Sequence, residues 1–576
     1  MAKNKPTQAK SVLGLEIGSA NTRGFLFDVV ENSYRMIASS SAPSTQMQPL
    51  FDIGEAVYEV VTRLQEVTGR VLLEKSGELI LPAQPNGDGV DQFFVTTSCA
   101  PALKVVAAGL LSDVSLESAK KLAYAAYTNL VESIWINDRR PFNQKMDAVL
   151  AARPDLIILA GGTDDGASRS VTRTADLITG VLGFLPRGIR PQVLYCGNQA
   201  LSSQLREAFG RYTSVRTAPN IRPSLEEEVL DPALGELNAM IMEKVLDQIG
   251  GLRRISPLCT IPPQLTNQAF HQIIKFLGRQ YDPQKGVLGV DVGATYSMAA
   301  YANDRVSILN TFNLGLGSGV EELLLKSDIR EISRWLAFSI TDAQVSDYLW
   351  NRSLYPLSVA STIEESALER AAMRQVLRLM MAELEIREAL PSSRFEPILL
   401  SGSLISRVVD PVQSLFVALD GMQPLGISPL ILDKHGILPL LGAIANKNPL
   451  LAIQLLESTA FTNLATAISI TSKARIGSTL LRARLDYPDG NYFEAEVKQG
   501  SILSLPLPSG MSGILRLQPT RRVEIEDFAL NREPIKVVGG VCGVVLDARG
   551  RPIVLPEDPG KRTDLIKEWE FLLGAA

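Results

Sequence analysis

The sequence has few of the side chains on which metal sites and nucleophilic catalysis usually depend. Its 576 residues include four cysteines and two histidines. The cysteines, at positions 99, 196, 259 and 542, are far apart and form no CxxC pair, which argues against a zinc site and against a disulfide framework. With His271 and His435 as the whole histidine complement, imidazole-based metal binding and Ser-His-Asp catalysis have little support.

The sequence also has no long run of basic residues and no long uninterrupted run of apolar residues. The formal net charge is −5 and no extended Lys/Arg run occurs, so we do not expect a nucleic-acid binder. Residues 1–10 are polar and basic and lack the apolar core of a signal peptide. The apolar stretch 437–470 is interrupted by Lys447, Pro449 and Glu457, which makes it a poor membrane span. These absences predict a cytoplasmic protein with no transmembrane segment.

Two segments carry the same arrangement of residues and are the most informative part of the chain. Residues 14–23 and 289–297 each contain a short apolar strand with a carboxylate, Glu16 or Asp291, followed by a glycine-centred turn and a second apolar run. This pattern predicts a β-hairpin whose tip exposes backbone N–H groups, because the side chains there are small. Successive N–H groups in a tight turn bind anions. Two such tips facing each other could hold a polyphosphate, whereas each taken alone is also compatible with a plain hairpin turn.

Hydrophobic periodicity divides the chain into four blocks, as expected of a length that exceeds one core. Residues 1–220 read as a first α/β lobe, with strands at 11–17, 22–30 and 92–97 and a helix at 116–134. Residues 221–285 read as a helical connection. Residues 286–448 repeat the first lobe's order of hairpin strands, helices and a late apolar strand. In residues 449–576 apolar and polar residues alternate, as in the strands of a β-rich domain.

Each α/β lobe also carries a late apolar strand that ends in small residues, at 157–162 and at 398–403. Ligands of α/β folds bind beyond the carboxyl ends of strands, so two such lobes could share one cleft. The turn at 161–166 contains Asp164 and Asp165. It is either a strand-to-helix loop with solvated acids or a contact for a ligand, metal or partner.

The order of these motifs resembles that of the actin-like ATPase superfamily, which includes actin, heat-shock chaperones and sugar kinases. Residues 16–23 resemble the first phosphate loop, 291–297 the second phosphate loop and 401–405 the adenosine loop, and 314–322 resemble the glycine-rich, acidic turn after the second hairpin. The resemblance implies an α/β fold with two actin-like (RNase H-like) lobes around a nucleotide cleft, plus a C-terminal β-rich domain.

A closer resemblance, over residues 11–450, is to the glutamate mutase accessory protein family. It rests on residues 97–110, 159–166 and 195–198. The resemblance implies an ATP-driven chaperone or reactivase whose protein partner is an enzyme such as an adenosylcobalamin-dependent mutase. Self-assembly is the other kind of partnership that the superfamily suggests.

The resemblance assigns ATP and Mg²⁺ as cofactors and gives each motif residue a role. Asp291 would organise hydrated Mg²⁺, and Glu16 would position water; these two are the candidate catalytic residues. Arg23 would add a fixed positive charge beside the phosphates. The remaining candidate nucleotide-binding residues are Gly18, Ser19, Ala20, Asn21, Thr22, Gly293, Ala294, Thr295, Gly315, Gly317, Gly402 and Ser403.

Several positions depart from the superfamily pattern. Glu16 and Arg23 stand where Asp and Lys are usual, Ala294 stands at a glycine position, and Met298 stands at a carboxylate position. A lost carboxylate removes a possible metal ligand or water-orienting group, so ATP binding is compatible with slow or absent hydrolysis.

Three functions therefore remain open. The first is a nucleotide-switched chaperone or reactivase. The second, favoured by Met298 and by the added β-rich block, is a structural, scaffolding or filament-forming protein that binds nucleotide. The third is a small-molecule kinase, for which the second loop offers no dedicated general base.

Overall fold

Two sheets with a shared strand order bring the two glycine hairpins face to face. The computed structural model describes residues 10–47, 49–164, 166–281, 285–388, 390, 395–526, 528 and 534–574. In the first lobe, strands β1 (Val12–Ile17) and β2 (Asn21–Val30) form the predicted antiparallel hairpin, with Glu16 opposite Arg23. Strand β3 (Ser33–Pro43), helix α1 (Gly54–Thr68) and strand β4 (Gln92–Thr97) follow, and β4 lies parallel to β1.

Residues 103–217 add a second, all-parallel sheet to the first lobe. Its elements are β5 (Leu103–Ala108), α2 (Ser115–Tyr124), β6 (Thr128–Ile134), α3 (Phe142–Ala152), β7 (Leu156–Leu159), α4 (Ser168–Phe184), β8 (Gln192–Tyr195), α5 (Ser202–Gly210) and β9 (Val215–Thr217). The strand order is β6-β5-β7-β8-β9, and every adjacent pair is parallel. The carboxyl ends of these strands therefore lie along one edge of the sheet.

The helix predicted over residues 116–134 is wrong in its second half. Helix α2 ends at Tyr124, and residues 128–134 form β6, which pairs with β5. The Thr128 hydroxyl donates to the carbonyl of Ala123 at 2.7 Å and closes the last turn of the helix. The residues after it include Val131 and Ile134, whose β-branched side chains suit a strand, and tertiary pairing overrides the apolar helical spacing.

The connection between the lobes is largely helical, as predicted. It contains α6 (Asp231–Gln248), α7 (Leu252–Ile255), the two-residue strand β10 (Gln264–Leu265) and α8 (Thr266–Gly278). Strand β10 pairs with β4 at the margin of the first sheet.

The second lobe repeats the topology of the first. Its elements are β11 (Val287–Val292), β12 (Ser297–Ala302), β13 (Ser307–Phe312), α9 (Val320–Lys326), α10 (Ile329–Ser333), α11 (Asp342–Leu354), α12 (Ile363–Glu388), β14 (Ile398–Ser401), α13 (Pro411–Met422), β15 (Ile427–Asp433), α14 (Leu438–Ala445) and α15 (Pro449–Leu456). The order β13-β12-β11-β14 matches β3-β2-β1-β4, with an antiparallel hairpin followed by a parallel strand in both lobes. This match confirms the predicted fold class of two actin-like lobes.

The C-terminal block is rich in β-structure, as expected, and its strands belong to two sheets. They are β16 (Phe461–Ser469), β17 (Thr479–Asp486), β18 (Tyr492–Lys498), β19 (Ile502–Leu505), β20 (Ser512–Pro519), β21 (Ile535–Val538) and β22 (Val544–Asp547), followed by α16 (Pro559–Leu573). Strands β16, β22 and β19 extend the second lobe's sheet, and β18-β17-β20-β21 form a sheet of their own. The domain limits at 220, 285 and 448 stay predictions.

Helices α8 and α14 cross between the lobes at very short range. A Cβ atom placed on Gly442 of α14 would lie 1.8 Å from the carbonyl oxygen of Ala269 in α8, so only glycine allows this crossing. Leu440 of α14 also fills the space above Gly14 of β1, and the two lobes share a continuous apolar core there. None of the helices described is both long enough and apolar enough to cross a membrane.

Candidate functional site: a cleft between two hairpins

The tips of the two predicted phosphate hairpins meet across one cleft. The Ser19 hydroxyl on the first tip lies 2.7 Å from the Thr295 hydroxyl on the second, within hydrogen-bonding distance. Thr295 makes a second 2.7 Å contact with the Ser318 hydroxyl. Among the residues predicted as site residues, those that line the cleft are Glu16, Gly18, Ser19, Ala20, Asn21, Arg23, Asp291, Gly293, Ala294, Thr295 and Ser403.

Four predicted residues lie behind the cleft wall and support it instead. The buried Thr22 hydroxyl bonds to that of Ser44 at 2.9 Å. Gly317 donates its N–H to the carbonyl of Ala294 at 2.7 Å, and a Cβ on Gly315 would lie 2.4 Å from the carbonyl of Gly293. Gly402 has a φ of 107°, and a Cβ there would lie 2.4 Å from the carbonyl of Val292. The lack of a side chain at Gly402 therefore allows the second hairpin's own backbone to approach closely.

Arg23 spans the cleft and is fully engaged in this structure. Its guanidinium forms a 3.0 Å ion pair with Glu16 and donates to the carbonyls of His435 and Gly436 in the second lobe, at 2.9 and 3.2 Å. Burial alone would lower the pKa of Arg23, but the carboxylates of Glu16 and Asp291 outweigh it and raise the pKa. Arg23 therefore joins the two lobes through hydrogen bonds to backbone carbonyls of the second lobe.

The acid that was assigned to the metal, Asp291, is buried beside two other carboxyl groups. Burial raises the pKa of Asp291 to about 7; Arg23 opposes the rise, and Glu16 and Asp433 add to it. Asp433 accepts hydrogen bonds from the Ser401 hydroxyl at 3.0 Å and from the Leu438 N–H at 2.8 Å. Immediately around Asp291 one guanidinium, that of Arg23, faces three carboxyl groups, so a further positive charge would be favourable there.

The residues present are compatible with a hydrated magnesium ion. Within the described ranges, no three His, Cys, Asp or Glu side chains converge closely enough to hold a metal by themselves. Mg²⁺ typically takes only one or two carboxylates and completes its shell with water and substrate phosphates. The buried Thr266 hydroxyl lines the cleft and has no protein hydrogen-bond partner in the described chain, so it needs a water or a ligand.

Arg407 is a cleft residue that sequence reasoning missed. It lines both the cleft and an adjoining cavity bounded by Glu369, Arg370 and Met373. Throughout the part of the chain that the structure describes, its guanidinium has no ion pair and no hydrogen bond. Burial of part of the group lowers the pKa of Arg407, the like charge of Arg352 lowers it further, and the carboxylate of Glu369 raises it. An exposed cation at the cleft that forms no ion pair within the described chain is a candidate contact for an anionic ligand.

No sequence signal marks Arg407 as special, since it lies four residues beyond Ser403 in a segment without a recognisable motif. The cleft wall at 356–357 was missed for the same reason. Arg352, nearly fully buried, donates to the Ser358 hydroxyl at 2.7 Å and pairs with Glu369 at 3.1 Å, which fixes the loop that carries Pro356 and Leu357.

Tyr296 forms a second bridge between the lobes. Its hydroxyl donates to the carbonyl of Ala100 in the first lobe at 2.8 Å, and its ring packs against that of Tyr127 with the centroids 4.6 Å apart. The cleft encloses about 50 Å³, whereas small-molecule sites usually measure about 300–1,000 Å³. The structure therefore describes a narrow cleft whose two sides are joined by these contacts.

The other sequence candidates lie outside the cleft or serve as structural groups. The Cys99 thiol donates to the carbonyl of Gly18 at 2.9 Å, and burial raises its pKa, so it is not a nucleophile. Asp164 accepts from the Gln199 N–H and the Asn220 side chain at 3.1 and 3.0 Å, as a loop-fixing residue does. Asp165 lies outside the described residues.

Comparison with known proteins places this chain beside one family. The family model described as "MutL protein" matches residues 12–460. Protein MutL of Clostridium tetanomorphum is 26% identical over 155 residues, which are 27% of this chain. The matched segment spans 32% of the length of that curated relative.

Solved structures overlap the chain only loosely. The activator of the 2-hydroxyisocaproyl-CoA dehydratase from Clostridium difficile, with bound ADPNP, is 9% identical, covers 78% of this chain and 98% of its own, and has a TM-score of 0.27. Xylulose kinase from Bifidobacterium adolescentis is 12% identical, covers 79% of this chain and 94% of its own, and has a TM-score of 0.29. Scores at this level add nothing to what the strand order already shows.

Proposed function

The chain belongs to the MutL (glutamate mutase L) protein family, in agreement with the motif resemblance, and on that basis we propose that it binds ATP between its two lobes. One observation carries the proposal: both glycine hairpins, Ser403 and the unpaired Arg407 line a single cleft. The hairpin tips supply backbone donors from opposite sides, and Arg407 supplies an exposed positive charge that forms no ion pair within the described chain.

Nucleotide binding would act as a switch because the closed cleft has no room for it. Triphosphate between Ser19 and Thr295 would break their hydrogen bond and compete with Glu16 for Arg23. A ligand that binds the open arrangement better than the closed one shifts the population toward it. The second lobe, its extended sheet and the C-terminal strands joined to that sheet would then move relative to the first lobe.

Magnesium would be held by Asp291, with water and the phosphates completing its shell. When bound, it would neutralise charge on the β- and γ-phosphates. Hydrolysis would be slow or absent, because Met298 lies directly opposite Asp291 in the hairpin register, where the superfamily has a carboxylate.

We infer that the switch serves a partner protein, of which an adenosylcobalamin-dependent mutase is the leading candidate. A chaperone or reactivase needs a partner-binding surface whose shape changes with the nucleotide state. Two lobes that move relative to each other when a ligand binds between them would provide such a surface. The first test measures how much purified mutase binds to the immobilised chain with and without ATP. The second test adds the chain and ATP to mutase that has been inactivated by turnover and measures the mutase activity that returns. ATP-dependent capture with recovery of mutase activity supports the role. Equal capture in both conditions, with no recovery, contradicts it.

A nucleotide-locked scaffold is the second candidate, favoured by Met298 and by the cross-lobe bridge from Tyr296 to Ala100. Pelleting of the chain on addition of ATP would support a filament and would count against a soluble reactivase. A small-molecule kinase has less support, because Glu16 and Asp291 are the acids on the cleft wall and Glu16 is already paired with Arg23.

A further inference from the structure

A second cavity lies in the C-terminal β-structure. It encloses about 550 Å³ and is lined by residues 471–474, by Arg521, Arg522 and Glu524, and by Arg551. This volume falls within the range of about 300–1,000 Å³ that small-molecule sites usually occupy. The cavity shares no lining residue with the nucleotide cleft.

The wall of this cavity is held by backbone pairing. Thr471 and Glu524 exchange two backbone hydrogen bonds, each 2.9 Å long. The hydroxyls of Thr471 and Ser472 donate to the carbonyls of Glu524 and Arg522, at 3.2 and 2.9 Å. The two hydroxyls are therefore already used in hydrogen bonds to the backbone, and the charged side chains are the groups that could bind a ligand.

The charges around the cavity are strongly unbalanced toward the positive. The lining contains Lys473 and the three arginines, against one acid, Glu524. Lys473 and Arg521 make no side-chain hydrogen bond and no ion pair with any residue that the structure describes. Arg522 reaches Glu524 at 3.4 Å while its side chain is 92% exposed. Arg551 pairs with Asp547 at 3.0 Å. At least two cations thus face the cavity without a counter-ion.

Arginines on strands β17 and β20 of the neighbouring sheet pair with acidic side chains. The excess of unpaired positive charge is therefore specific to the cavity. On strand β17, Arg482 pairs with Glu496 at 3.3 Å and Arg484 with Asp486 at 2.7 Å. On β20, Arg516 pairs with Asp486 at 2.8 Å. Arg521 also lines a neighbouring hollow of about 370 Å³, whose other charged residues are Arg482 and Glu496, which pair with each other.

We propose that this cavity is an anion site that binds a small phosphate-bearing molecule, separately from the nucleotide cleft. Guanidinium forks match phosphate oxygens two at a time, and a lysine adds a mobile point charge. A multiply charged phosphate ester or diphosphate would neutralise Lys473, Arg521 and Arg522 together. Because the C-terminal sheet packs on strands that extend the second lobe, the bound ligand would lie on the part of the protein that moves with that lobe.

The experiment is calorimetric titration of the full chain with inorganic pyrophosphate at low ionic strength. Three proteins are compared: the unaltered chain, Lys473→Gln/Arg521→Gln, and the matched control Arg484→Gln/Arg516→Gln, which loses the same charge from two arginines of the C-terminal sheet that line neither hollow. We expect the first pair of substitutions to weaken one pyrophosphate site by about tenfold or more, since charged hydrogen bonds contribute about 1.5–3 kcal/mol each. The control should keep that site.

Three outcomes would overturn the proposal. The first is the absence of any pyrophosphate site that responds to Lys473→Gln/Arg521→Gln. The second is an equal loss in both double variants, which would indicate general charge attraction. The third is loss of the responding site in Arg407→Met, which would place it in the cleft. Circular dichroism of each protein checks folding, and ATP affinity of the Lys473→Gln/Arg521→Gln protein should stay unchanged.

Discussion

Ser19 and Thr295 are 276 positions apart in the chain, yet their hydroxyl oxygens lie 2.7 Å apart at the tips of two equivalent hairpins. This contact joins the first lobe to the second at the point where a triphosphate would lie. Arg23 adds bonds to the carbonyls of His435 and Gly436, and Tyr296 adds one to Ala100. The closed cleft is therefore held by contacts that nucleotide entry, as proposed above, would break.

Arg407→Met should weaken ATP binding by about 10- to 100-fold, because charge-assisted hydrogen bonds contribute about 1.5–3 kcal/mol each. Methionine keeps much of the apolar stem, and the Arg407 side chain is exposed and forms no ion pair within the described chain, so the stability without ATP should change little. Calorimetry with ATP and thermal unfolding without ATP measure the two effects. Arg330→Ala, at an exposed arginine of the same lobe, is the control and should change neither. Undiminished ATP affinity in Arg407→Met would remove Arg407 from the site.

Asp291→Asn should weaken ATP binding in the presence of Mg²⁺ and have a much smaller effect in EDTA. The substitution keeps the shape of the side chain and removes the carboxylate that would hold the ion, so the loss should follow the metal. Calorimetry under the two conditions gives the comparison. An equal loss with and without Mg²⁺ would assign Asp291 to the nucleotide or to the cleft wall instead of the metal.

Met298→Asp should raise Mg²⁺-dependent ATP hydrolysis if the missing carboxylate limits turnover. Residue 298 is the register partner of Asp291, so the new acid would stand directly across the hairpin from it. Phosphate release is the measurement, and Met298→Asn is the control for a polar side chain without charge. Turnover no higher in the aspartate variant than in the asparagine variant would refute this explanation.

Tyr296→Phe should make nucleotide association faster. The hydroxyl bond to Ala100 stabilises the closed cleft by about 1 kcal/mol, and its loss would raise the open population by about fivefold. Stopped-flow binding of a fluorescent ATP analogue measures the rate. Tyr487→Phe removes a comparable bond, to the carbonyl of Pro506, in the C-terminal sheet and should leave the rate unchanged. A rate that is equal in all three proteins would mean that this bridge does not gate entry.

The hairpins and both lobes could be predicted because their signals are local. A carboxylate, a glycine turn and flanking apolar runs are contiguous in sequence, and the repeat of this pattern at 289–297 implied the second lobe. The cross-lobe bonds of Arg23 join residues 412 and 413 positions apart, and the position of Arg407 at the cleft depends on tertiary packing, so no spacing rule could identify them. The misread helix at 116–134 has another cause: apolar residues at 125–127 continue the helical periodicity past the point where pairing with β5 takes over.

Acid should destabilise the protein through His271. Burial lowers the pKa of His271 to about 4, and its ring nitrogen contacts the Ser307 hydroxyl at 2.6 Å. Asp231 and Lys275 act on it with opposite signs. The unfolded chain therefore binds a proton that the folded chain does not between pH ~6.5 and ~4, so up to about 3 kcal/mol of stability is lost as pH falls through that window. Urea unfolding at pH 7.5 and 4.5 should show a smaller pH effect in His271→Gln. An unchanged pH effect would exclude His271 as the source.

The most direct test of ATP binding between the two hairpin tips is ATP titration of the Ser19→Cys/Thr295→Cys protein before and after oxidation. A disulfide between these positions would hold the hairpin tips together, and mass spectrometry of the peptides identifies the bond. The account predicts one ATP per chain in the reduced protein, no ATP binding in the oxidised protein, and full recovery on reduction. Equal ATP affinity in the oxidised and reduced proteins would show that the nucleotide does not enter between the two hairpins.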